Sequence, residues 1–154
     1  MRWDPHLLPA SIQPERTALY SGTELLPAVA ETWQATRHID VHFGDPIIVR
    51  ATPTRTLRLL DLAANSTWAI RHGASASLAH SHRDVCRNWA RAILTAVPKL
   101  DGLLAPSTLS GTNVVLFASG IGALPETGDM TQQADDPAVF AILESIATRI
   151  GYTI

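Results

Sequence analysis

A single cysteine, Cys86, excludes an internal disulfide and suits a reducing compartment. Charge of either sign is scarce in excess: 12 basic and 14 acidic residues leave a net charge of −2, which gives no general attraction to nucleic acid or an anionic membrane. The one local cluster of basic residues, Arg50, Arg55 and Arg58, alternates with apolar neighbours and reads as the solvent face of a strand. No stretch approaches the ~20 consecutive apolar residues that span a bilayer. The first residues, with Asp4, Pro5, His6 and Pro9, lack the basic start and apolar run of a secretory signal. Together these absences predict a soluble, cytoplasmic protein with no direct nucleic-acid or membrane partner.

Several chemistries also lack their motifs. Gly120 and Gly122 do not complete a dinucleotide fingerprint, and there is no phosphate-loop Gly-Lys-Ser/Thr and no Gly-x-Ser-x-Gly elbow. His82 and Cys86 would share a helix face, with His80 close by, but no second paired motif supplies the further donor of a tetrahedral site. No metal is expected.

What is present fits one α+β domain over residues 1–154, a mixed sheet with flanking helices. At 154 residues the chain can bury a core, and 46% hydrophobic against 17% charged residues argues against disorder. Residues 1–16, with three prolines, read as an extended arm. Thr17 to Ser21 reads as a strand ending at Gly22, and Thr23 as the cap of a helix whose apolar face carries Leu26, Val29, Ala30 and Trp33. Ile47 to Val49 and Leu57 to Asp61 have strand patterns. Residues 62–80 are ambiguous, with a short helix expected near Thr67 to Arg71. A helix is predicted over 82–97, capped by Ser81 with Asp84 and packed through Val85, Trp89, Ala92, Ile93 and Ala96. Leu103-Leu104 and Val114 to Phe117 read as buried strands, and 119–135 as loop. Asp136-Pro137 opens a last helix that runs to about Ile150 and stops at Gly151.

Two segments differ from ordinary core. In the first, the strand Ala18-Leu19-Tyr20-Ser21-Gly22 leads to a helix carrying Glu31 beside its apolar stripe, as a surface acid or as a pocket residue. In the second, Asp101-Gly102-Leu103-Leu104-Ala105-Pro106-Ser107 runs into a polar loop, and Asn113-Val114-Val115-Leu116-Phe117 leaves it. Loops at strand ends are where rigid scaffolds hold polar groups over a pocket, although a turn with a capping Ser has the same pattern.

Leu19-Tyr20, Ala28 to Glu31, Leu60-Asp61-Leu62 and the Asp101 to Phe117 block follow one another in the order seen in the RES family, which this chain resembles over residues 17–118. The eleven-residue step from Tyr20 to Glu31 agrees with that pattern. The resemblance implies an ADP-ribosyltransferase-like fold and an enzyme that degrades NAD, as a glycohydrolase or phosphorylase, serving as the toxin of a toxin–antitoxin pair. It implies Glu31 and Ser107 as the catalytic residues, with Arg2, Tyr20 and Asn113 contacting NAD as the substrate. It implies a helix-turn-helix antitoxin as partner and is compatible with a homo-oligomer. Family members carry a further arginine-bearing strand upstream of the Arg2 element, so this chain, beginning Met1-Arg2, is expected to lack it. The alternatives are a protein ADP-ribosyltransferase and an inactive, truncated RES-like binding module.

Overall fold

The computed structural model describes residues 2–9, 11–63, 66–107 and 111–154. Six strands and five α-helices follow one another: β1 (Ala18–Gly22), α1 (Leu25–Thr32), β2 (Ile47–Arg50), β3 (Leu59–Asp61), α2 (Trp68–Arg71), α3 (Arg83–Ala96), β4 (Gly102–Pro106), β5 (Thr112–Phe117), α4 (Ala118–Ile121), β6 (Met130–Gln133) and α5 (Pro137–Ile150). Short 3-10 turns precede β1 and α3. The apolar runs predicted as buried strands are β4 and β5. They pair antiparallel with Leu103 opposite Val115, and β1 joins the outer side of β5 with Tyr20 opposite Val115. β3 lies parallel to β4, which makes the sheet β1-β5-β4-β3 mixed. β2 and β6 form a separate antiparallel pair. The architecture is α+β.

Two apolar clusters hold these layers. In the first, Leu103, Ala105, Val115 and Phe117 pack against Cys86, Ala90, Ile93 and Leu94 of α3, with Trp3 of the N-terminal arm closing one end. In the second, Val29 of α1 packs against Val139, Leu143 and Ala147 of α5, together with Ile39, Val41 and Tyr152. Helix α1 therefore lies between the second core and the main sheet, and the Tyr152 hydroxyl donates to the Ala30 carbonyl at 3.1 Å. Among the described residues no helix is long and apolar enough to cross a membrane.

The last helix follows its local signals closely. Asp136 accepts from the Ala138 and Val139 amides, Pro137 takes the first helical position, and Gly151 closes the end at φ +73°, where a side chain is disfavoured. Elsewhere tertiary contacts override local cues. The cap of α3 is His82, whose ring accepts from the Asp84 amide, while the Ser81 carbonyl is taken by Arg2. The buried stripe of α3 is rotated from the expected one: Cys86 and Ala90 face the sheet, whereas Val85, Ala92 and Ala96 face solvent. Thr23 does not cap α1; Glu24 takes that position without a side-chain bond, and the Thr23 hydroxyl donates to the Thr112 carbonyl. The strand expected from Leu57 starts only at Leu59. Residues 119–135 hold most of α4 and all of β6, whose polar Met-Thr-Gln-Gln sequence is a strand only because β2 pairs with it. The N-terminal arm is anchored rather than laid across a surface: Trp3 and Pro5 are buried, and Arg16 and Arg91 donate to the Pro5 and His6 carbonyls. The polar loop expected after Ser107 falls at 108–110, outside the described residues.

Candidate functional site

Where β4 ends and β5 begins, Ser107 and Asn113 stand side by side, each about 9% exposed. Glu31, near the end of α1, reaches this spot. Its Oε1 accepts from Ser107 Oγ at 2.9 Å and from Asn113 Nδ2 at 3.0 Å. The backbone makes the approach possible. The residue paired with Asn113 on β1 is Gly22, which brings no side chain there. A Cβ on Gly22 would lie 2.5 Å from the Glu24 carbonyl and 2.9 Å from the Ala28 amide, so only glycine lets the chain fold tightly from β1 into α1. Within α1, Val29 and Ala30 are buried, while Ala28, Glu31 and Thr32, three and four positions apart, share another face and line a cavity.

That cavity has a volume of about 320 Å³, at the small end of the range for ligand sites. Glu31 and Asn113 lie on its wall with Tyr20, Arg2 and Pro106. Tyr20 is on the same sheet face as Asn113, two pairs away in the β1–β5 register. Its hydroxyl accepts the Trp3 amide hydrogen, and burial pushes the phenol pKa well above its usual value, so the ring is a neutral wall at physiological pH. Arg2 comes from the arm. One of its nitrogens donates to the Ser81 carbonyl and lies 4.0 Å from Cys86 Sγ.

Four of the five residues expected at the site thus share one cavity wall, and the fifth, Ser107, stands behind it. The Ser107 hydroxyl hydrogen is directed to Glu31, which makes it a positioning group for the carboxylate. Arg83 and Gln34 also line the cavity, without having been expected there. For Arg83 the sequence does carry a signal: a cation in the first turn of a helix opposes the macrodipole. Gln34 follows α1 with no pattern to mark it.

The other conspicuous carboxylate lies at the opposite end of β4. Asp101 is 1% exposed, and Arg55 grips it through two nitrogens at 2.7 and 2.9 Å. The Arg58 amide and Ser119 hydroxyl complete its shell at 2.8 and 2.6 Å. The Arg55 guanidinium, opposed in part by burial, holds this carboxyl far below the usual carboxylate range. Arg55 is therefore a clamp on a loop, not the solvent face of a strand, and only Arg50 of the basic cluster lies in one.

His82 and Cys86 do not face each other across a site. The His82 ring is exposed at the helix cap, and the buried Cys86 thiol donates to the Leu78 carbonyl at 3.3 Å. Burial raises the Cys86 pKa, which disfavours a thiolate. No group of three or more metal-binding side chains occurs among the described residues. No family model, no curated protein and no solved structure matches the chain.

Proposed function

We propose that this protein cleaves NAD at the bond between nicotinamide and ribose, with Glu31 as the catalytic carboxylate. The observation that carries the reading is the convergence of Ser107 and Asn113 on one Glu31 oxygen at the wall of a cavity that Tyr20 and Arg2 also line. Two neutral donors, Ser107 and Asn113, fix the orientation of the carboxylate. In the reaction the bond between the nicotinamide nitrogen and the ribose C1′ breaks, and its electron pair neutralises the pyridinium. Positive charge then builds on the ribose, as in glycoside cleavage, and a fixed carboxylate stabilises it. Water adds to C1′ and releases a proton, giving nicotinamide, ADP-ribose and H⁺. Glu31 is the group available to receive that proton. Tyr20 supplies a flat neutral surface for the nicotinamide ring.

The RES resemblance supports the same chemistry and extends it to a toxin role held in check by an antitoxin that covers the cavity. The test is direct. Purified protein incubated with NAD releases nicotinamide, and Glu31→Gln, folded by circular dichroism, does not. Label from adenine-labelled NAD that appears on protein bands of a lysate identifies a side chain as acceptor in place of water. Folded wild-type protein that leaves NAD intact overturns the reading.

A further inference from the structure

We propose that Arg83 joins Arg2 to hold the diphosphate of a nucleotide on the side of the cavity where the N-terminal arm meets α3. The inference rests on the NAD reading for its orientation, since it turns the ribose toward Glu31. It adds a binding residue that neither the sequence motifs nor the resemblance assigns.

Three observations carry it. First, Arg2 and Arg83 come from distant parts of the chain but line the same cavity, and Arg2 is tied to the carbonyl of Ser81, two residues before Arg83. The tie brings the Arg2 side chain to the start of α3, the turn that carries Arg83. Second, the cavity wall carries two arginines against one carboxylate, Glu31, among the described residues. The acid nearest Arg83 in sequence, Asp84, is directed to Arg87 and His82, at 3.5 and 3.4 Å. Third, Arg83 occupies the first turn of a 14-residue helix, where the macrodipole disfavours a cation, so helix stability does not account for it. An exposed guanidinium keeps its charge at every physiological pH and presents planar pairs of N–H donors that match phosphate oxygens. Arg2 turns one nitrogen to the Ser81 carbonyl and Cys86 Sγ, and its other two nitrogens carry further N–H donors in the same plane. A dianionic diphosphate matches two arginines on one cavity wall in charge, and the uncharged ribose attached to it leaves the carboxylate on the same wall for the sugar.

The test uses ADP, inorganic pyrophosphate and adenosine as probes in calorimetric titrations. The wild-type protein is expected to bind ADP and pyrophosphate, and adenosine at least tenfold more weakly than ADP. Arg83→Gln should weaken ADP binding about tenfold or more and make it less dependent on salt, while Arg83→Lys recovers part of the loss. Arg71→Gln, which removes an equivalent exposed charge from α2, should leave ADP binding within twofold. In turnover, Arg83→Gln should raise KM for NAD more than it lowers kcat, and should spare nicotinamide riboside, which has no diphosphate. ADP binding that depends on Arg83 in a protein that does not cleave NAD sustains the anion site and removes the catalytic reading. NAD cleavage with ADP binding and KM unchanged in Arg83→Gln sustains the catalytic reading and overturns the anion site. Failure of the wild-type protein to bind either ADP or pyrophosphate overturns it as well.

Discussion

Asp101 stands just before β4, and Glu31 meets the far end of the same strand, so one β4–β5 pair supports two carboxylates in different surroundings. Asp101 is enclosed: a bidentate arginine, a backbone amide and a hydroxyl take up its oxygens, and its pKa is driven down. Glu31 is partly exposed and is held on one oxygen by two neutral side chains, beside a cavity. On the proposed reading, the difference separates a structural carboxylate from a catalytic one. A carboxylate saturated by a cation pins chain segments together but has little capacity to respond to a developing charge. One oriented by hydrogen-bond donors at a cavity wall is placed to meet a charge that develops there.

The largest expected effect falls on the open end. Glu31→Gln should lower NAD cleavage by ~10³-fold while thermal stability changes little, measured as nicotinamide release beside a melting curve. At the closed end the pattern inverts. Asp101→Asn should lower stability by about 2 kcal/mol, a fall in Tm of about 4–8 °C, with turnover per folded molecule retained. Because the folded Asp101 carboxyl titrates below the unfolded one, acid protonates the unfolded chain first. Its contribution is complete above about pH 5 and is lost as pH falls through the folded pKa, below the usual carboxylate range. The stability gap between wild type and Asp101→Asn should therefore narrow steadily as pH is lowered from 5 to 2. A smaller effect belongs to the positioning pair. Ser107→Ala should reduce kcat about tenfold with KM nearly unchanged, since a donor that orients Glu31 is lost, and Ser107→Thr, which keeps a hydroxyl, should recover part of the loss. Equal loss in Ser107→Ala and Ser107→Thr would assign Ser107 a packing role. The smallest change is expected for Tyr20→Phe, which keeps the aromatic wall but loses the acceptor for the Trp3 amide. Stability should fall by about 1 kcal/mol and activity by a few-fold at most.

What the sequence reveals divides along the same line. Elements with strong local signals are legible: α5 carries its own cap, proline and closing glycine, and β4 and β5 are continuous apolar runs. The Glu31 site is legible in part, because Tyr20, Glu31, Ser107 and Asn113 sit on short motifs in order. The Asp101 clamp is not, since Arg55 lies 46 positions away in sequence and only folding joins them. β6 is equally hidden: three of its four residues are exposed, and pairing with β2 alone makes it a strand. The misjudged face of α3 has a simpler cause. Cys86 and Ala90 carry little apolar weight in a periodicity count, yet they are the residues small enough to lie flat against the sheet core.

Nicotinamide release from NAD by the wild-type protein, Glu31→Gln and Asp101→Asn, followed at matched folded concentrations, tests the functional distinction between the two carboxylates most directly. Turnover is expected from wild type and Asp101→Asn, and none above background from Glu31→Gln. Equal turnover by wild type and Glu31→Gln, or none by the folded wild type, would contradict it.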